Sequence, residues 1–353
     1  MTRFILFAST VLLFNSCFSQ KGETYAERLG YPSGKKIIIL HIDDAGMSFD
    51  SNEGAYDALT NGVSNSVSVM MPCPWVPDFL GRIKDKPNLD VGMHVTLNSE
   101  WDTYRWGPIA GKDAVPSLVD EQGYFWPSTG QSAQNGNPAD VATEINAQLA
   151  KARAMGLNPT HIDAHMGTIF SREDFITEYV KLGMMNHIPV MFPCGHNTYF
   201  KNFLREQMKF KLMAQGKYTE GMELPLPMSD AQGAEMGERL WGAGLPAIDD
   251  LHNQSYDWVF PEGMEMTDAN IMEFRREKYK EIVNGCKPGI TMIIMHCTNP
   301  TEAFHSISEE SFYVRKGDYL VMKDPNFKKF LEDEGIIFTT WKELGVRRNK
   351  LGK

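Results

Sequence analysis

Five cysteines occur in 353 residues and no two of them form a Cys-x-x-Cys pair, which excludes zinc-ribbon and thioredoxin-type sites. A basic excess is also missing: 35 Lys and Arg face 45 Asp and Glu, for a formal net charge of -10. The one basic cluster is the short run Arg347, Arg348 and Lys350. Because phosphate backbones need a concentrated basic surface, nucleic acid is excluded as a partner. Repeats and low-complexity tracts are absent, and a 42% hydrophobic share with 23% charged residues is that of an ordinary globular chain.

Long apolar runs are missing too. The run from Phe4 to Phe14, preceded by Arg3, is shorter than the ~20 residues that span a bilayer. It suits the core of a secretory signal peptide over residues 1–20. Cleavage before Cys17 would leave a lipidated N-terminus; cleavage after Gln20 is the alternative. Either way the protein is expected to be exported from a bacterium, as a periplasmic protein or a membrane-anchored lipoprotein. The lipid would be its only membrane contact. Residues 21–35 then read as a linker, and Cys73, Cys194, Cys286 and Cys297 as single buried thiols, although an oxidising compartment permits one or two disulfides. Nothing in the sequence fixes the oligomeric state, and a homodimer is compatible with it.

What the chain does contain, over residues 36–345, is short apolar strands alternating with helical stretches. Lys36 to Ile42 is a strand, and Asn52 to Thr60 a helix stopped at Gly62. The stretch Ser64 to Pro72 alternates valines with serines at strand period, and "LDVGMHVTL", "PTHIDAH", "IPVMFP", "GITMIIMH" and "IIFTT" supply further strands. Strand followed by helix throughout implies parallel strands with right-handed crossovers. The expected fold is α/β, a distorted (β/α) TIM-like barrel. Residues 195–266, with scattered Pro and Met, are expected to be an inserted lid or subdomain.

In such barrels the chemistry sits where strands end. The first strand ends at His41, Asp43 and Asp44; others carry His94, the trio His161, Asp163 and His165, and His296. Two adjacent carboxylates at a buried strand tip are costly unless paired or bound to a metal. Any one of these histidines, taken alone, fits a hydrogen-bonded core residue, and an Asp fits a helix cap. Their coincidence at four strand ends, in a chain with nine histidines, points to a metal instead. At strand period His161, Asp163 and His165 share one face, toward the barrel mouth. The "HIDAH" stretch also lacks the Glu that follows the first His of helical zinc proteases.

One carboxylate with two imidazoles suits a divalent ion with open positions, and Asp44, His94 and His165 form such a set. The ion would lower the pKa of a bound water toward ~7, and Asp43 would act as general base in acyl hydrolysis. The loop from Asn98 to about Pro138 holds Trp101, Tyr104, Trp106, Tyr124, Phe125 and Trp126, whose faces could stack on sugar rings or simply pin the loop. His161, Asp163, Trp101, Trp106 and Trp126 are therefore candidate substrate contacts.

These segments, a strand ending in "DDAG", then "VGMHVTL", "PTHIDAH" and more loosely "IMHC", resemble the YdjC-like carbohydrate deacetylases, which include chito-oligosaccharide deacetylases. The resemblance implies a distorted (β/α) barrel, one divalent metal ion (Mg or Zn) at Asp44, His94 and His165, Asp43 as catalytic base, and removal of acetate from an acetylated oligosaccharide or polysaccharide. By the same analogy His296 would protonate the leaving amine or steady the tetrahedral intermediate. The chain departs from the family pattern at Ala45, at Met166 to Thr168 and at Cys297, which implies a differently shaped pocket. Two other readings are a glycan-binding lipoprotein on an inactive scaffold and a metal-dependent esterase or phosphoesterase.

Overall fold

The computed structural model describes residues 23–352 apart from 225 and 227, so the expected signal segment 1–20 lies outside the described residues. Seven strands form one sheet: β1 (Lys36–Ala45), β2 (Ser66–Val69), β3 (Val91–Val95), β4 (Ile162–Ala164), β5 (Asp250–His252), β6 (Gly289–Met295) and β7 (Ile337–Phe338). Their order is β4-β3-β2-β1-β6-β5, and β7 pairs with Ile37 and Ile38 of β1. All pairings are parallel, as the strand and helix alternation requires.

The two outer edges are joined by residues 188–194. Val190 bridges Ile162 and Pro193 bridges Ile248, both in parallel sense, with Met191 N donating to Ile162 O at 2.8 Å and Cys194 N donating to Ile248 O at 2.9 Å. The arrangement is an α/β fold with a parallel sheet, consistent with a distorted barrel. The expected strand "IPVMFP" thus supplies this link rather than a full ladder.

A separate lid is not shown. The stretch 195–266 contains helices Thr198–Ala214 and Asp230–Gly242, but it also contains β5, which pairs with β6 in the main sheet. Pro and Met in this stretch obscured a three-residue strand whose pairing partner lies some 40 residues away.

Parallel sheets covered on both faces bury their strands completely, and Ile37 to Leu40 of β1 are fully buried. Alternate residues of β1 enter different clusters. Ile38, Leu40 and Ile42 pack with the surrounding helices, whereas Ile37 and Ile39 join Met191, Leu251, Ile290, Met292, Ile294 and Trp341 on the inner side. His41 and Asp43 continue that inner row at strand period. An apolar plug therefore ends upward in a polar floor.

The helix after β1 runs Phe49–Asn61, with the Ser48 side chain accepting from Ser51 N and Gly62 closing it. All four described cysteines are free and buried. Among the described residues no helix is long and apolar enough to cross a membrane.

Candidate metal centre

Strand period places Asp43 and Asp44 on opposite faces, yet both reach the mouth. The cause is local: Asp44 adopts a left-handed conformation (φ 67°), Gly46 follows at φ 85°, and the β1–β2 register shifts between Ile42 and Ala45. Asp tolerates this region better than most residues, and the bulge re-aims its side chain.

Asp44 Oδ1 then lies 3.1 Å from His165 Nδ1 and 3.3 Å from His94 Nε2. The second nitrogen of each imidazole is held by another carboxylate: His94 Nδ1 is 2.8 Å from Asp163 Oδ1, and His165 Nε2 is 3.0 Å from Glu100 Oε2. Asp163 Oδ2 lies 2.8 Å from His41 Nε2, and His41 Nδ1 is 2.8 Å from Ser66 Oγ. Ser68 Oγ stands 3.1 Å from both His41 Nε2 and His94 Nδ1. These outer contacts fix ring orientation and leave one nitrogen of His94 and one of His165 facing the Asp44 carboxylate.

The site is electrostatically loaded. Burial opposes charge on His94 and His165, but Asp43 and Asp163 raise His94 well above its ordinary value, and Glu100 and Asp44 push His165 up to about 9. Burial alone would raise Asp44; Arg315 and His165 instead hold it well below the usual carboxylate range. Asp163 is likewise lowered against its burial by His94 and His41. A cluster that draws protons this strongly onto imidazoles is one where a divalent cation can take their place.

Three groupings have donor atoms close enough to hold an ion, each with its atoms within 4.8 Å of one another: Asp44, His94 and His165; His41, His161 and Asp163; and Asp43, His94 and Asp163. The donor chemistry fits the first, because its imidazole nitrogens face the carboxylate while their other nitrogens are anchored. In the second, His41 is tied to Ser66 and His161 is fully buried. In the third, both oxygens of Asp163 are already engaged, by His94 Nδ1 and His41 Nε2 at 2.8 Å each.

Asp43 and His296 sit beside this set. Asp43 Oδ1 is buried with no hydrogen bond of good geometry, 3.2 Å from His41 Nε2, and Asp43 Oδ2 lies 3.7 Å from His94 Nε2 and 3.9 Å from His296 Nε2. Burial and then Arg315 lower the His296 pKa. Its backbone N donates to Asp318 Oδ2 at 2.9 Å, and Tyr256 packs edge-on against its ring at 5.0 Å.

Three expected substrate contacts are corrected by burial. His161 is fully buried, stacked on Trp341 at 5.6 Å between centroids, and its pKa is pushed down to about 4 by desolvation; it lies below the floor, where no ligand reaches. Asp163 is 1% exposed and serves as the brace between His41 and His94. Trp106 is 3% exposed, its indole N–H donating to Asn98 O at 2.9 Å and its ring packed on His165 at 6.1 Å. Of the other two, Trp126 is half-buried and donates to Ser117 O, and Trp101 is half-buried beside Arg315.

Sequence reasoning missed Ser66, Ser68, Glu100 and Arg315. The serines carried a signal, since their period-two alternation with Val67 and Val69 puts both on the inner face beside the histidines. Glu100 lies in a loop and Arg315 on a remote helix, and neither has a local pattern.

Comparison with known proteins shows the family and the fold. The family model described as YdjC-like protein matches residues 37–333. A carbohydrate deacetylase from Thermus thermophilus is 26% identical over 307 residues, 87% of this chain and 93% of the relative. One from Thermoanaerobacter pseudethanolicus is 28% identical over 310 residues, 88% and 99% of the two chains. A solved structure from Enterococcus faecalis, a proposed cellobiose-phosphate cleavage protein, superposes with TM-score 0.64 at 18% identity, covering 88% of this chain and 99% of that one, and so shares the fold.

Proposed function

The chain belongs to the YdjC-like proteins, and on that premise we propose that it is a metal-dependent carbohydrate deacetylase, hydrolysing an acetyl group from an acetylated sugar. The carrying observation is the convergence of Asp44 Oδ1, His94 Nε2 and His165 Nδ1, with Asp163 and Glu100 behind the imidazoles. Asp44, His94 and His165 would hold the ion. A divalent ion, zinc or magnesium, supplies there a Lewis acid that polarises a carbonyl and acidifies water.

Around it the chain's own groups divide the proton work. Asp43, whose buried Oδ1 has no hydrogen bond of good geometry and only His41 Nε2 at 3.2 Å beside it, takes the proton of the attacking water. His296 Nε2, 3.9 Å from Asp43 Oδ2, passes a proton to the departing sugar atom as the acyl bond breaks. Its lowered pKa keeps the resting ring neutral, so the proton it passes on is the one Asp43 has taken from water. The products are acetate and the freed amine or hydroxyl of the sugar. Trp101 and the exposed Tyr256 flank Arg315 at 5.5 and 5.8 Å and offer aromatic faces to a sugar ring.

The curated relatives are named carbohydrate deacetylase, and others chitooligosaccharide deacetylase, which supports an acetylated saccharide as substrate. We retain export through residues 1–20 and a catalytic domain over residues 36–345 as parts of the proposal. The test is acetate release from a panel of N- and O-acetylated oligosaccharides, with zinc or magnesium and with a chelator. Chelator-sensitive acetate supports the reading; no acetate from protein that holds metal overturns it.

A further inference from the structure

The two oxygens of Asp44 are engaged by different partners. Oδ1 faces His94 and His165, whereas Oδ2 accepts from Arg315 Nη2 at 2.6 Å. Arg315 is buried, and its Nε donates to the Tyr256 hydroxyl, also at 2.6 Å, so the guanidinium plane is fixed at two points. It projects from helix Glu309–Met322, which is itself anchored one turn on. There Asp318 accepts from the Tyr279 hydroxyl at 2.6 Å, from His296 N at 2.9 Å and from Arg275.

A carboxylate can offer a cation one oxygen or two. Catalytic metal sites need positions left open for water and substrate, and a second oxygen from Asp44 would fill one of them. A charge-assisted bond from a buried, two-point-fixed guanidinium is strong enough to keep Oδ2 turned away. We infer that Arg315 is a positioning residue that restricts Asp44 to a single donor oxygen toward the metal. It supplies this limit from the far end of the chain, 271 residues from its partner. The inference rests on the metal-dependent reading above.

Cobalt(II) reports coordination number through the intensity of its visible absorption, independently of turnover. The metal-free protein is titrated with cobalt as wild type, Arg315→Met and Arg315→Lys. Methionine removes the clamp and a positive charge; lysine keeps the charge but cannot hold Tyr256 and Asp44 together. Both variants are expected to bind one cobalt no more weakly than wild type, with a severalfold weaker visible band, as Asp44 adds its second oxygen. Their deacetylation turnover is expected to fall ~10–100-fold. A residue that merely supported the fold would lose metal affinity and activity together. A full-strength band in either variant, or weakened cobalt binding with the band unchanged, overturns the inference. Wild type that takes up no cobalt overturns the metal reading itself, and this inference with it.

Discussion

Glu100 offers the sharpest test of how the metal set is held. Its Oε2 lies 3.0 Å from His165 Nε2, and His165 is buried, so that N–H has no alternative partner. Glu100→Gln keeps an acceptor but removes its charge. A hydrogen bond to a charged group contributes ~1.5–3 kcal/mol and a neutral one ~1, so the variant loses about 1 kcal/mol of ring orientation. Metal affinity should fall about fivefold, at roughly 1.4 kcal/mol per factor of ten. Glu100→Ala leaves the N–H unpaired, and the loss should reach ~10–100-fold. A second effect runs the other way. Glu100 is the first group holding the His165 pKa up at about 9 against burial, so at pH 7 the wild-type ring carries a proton that a metal must displace. Removing Glu100 relieves that competition. The order wild type, Gln, Ala should therefore be clearest near pH 9 and compressed at pH 7. Titration calorimetry or chelator competition at both pH values reads it. Variants within twofold of wild type at pH 9 would show that Glu100 does not orient His165.

Asp43→Asn should leave metal affinity near wild type and lower acetate release by ~10²–10⁴-fold, because only the proton acceptor is removed; steady-state rates beside metal titration decide this. Acid should destabilise the protein through His161, whose folded pKa of about 4 lies below the ordinary 6.5. The stability it contributes is complete above pH 6.5 and is lost as pH falls toward 4, about 3 kcal/mol in all, so His161→Gln should flatten denaturant-derived stability over that window. Gly92→Ala would bring a Cβ within 2.4 Å of His161 Nε2, and should cost ~1–3 kcal/mol in chemical denaturation. An unchanged midpoint there would mean that the floor below the site yields more easily than its packing implies.

Much of the site could be read from the sequence because strand ends and residue chemistry are local facts. His94, His165, Asp43 and Asp44 stood at apolar strand tips, and the structure brings them together as that pattern requires. The inward face shared by Asp163 and His165 followed from the strand period alone. Depth along that face did not: the same period that points His161 inward cannot say that Trp341 lies beneath it. Composition likewise marked Trp106 as a sugar platform, whereas its packing against Trp101, Tyr104 and His165 makes it part of the wall.

The sequence by itself determined the parallel α/β plan and the donor residues, because period, turn chemistry and ligand type are written in neighbouring positions. Tertiary structure alone decided three things. The left-handed Asp44 turned two consecutive carboxylates into one mouth, a rotation that strand period forbids. Glu100 and Arg315, from a loop and a distant helix, were placed against His165 and Asp44 by packing that no local pattern encodes. And the ring was linked through residues 188–194 and 248–252, whose few backbone bonds take their geometry from the strands on either side.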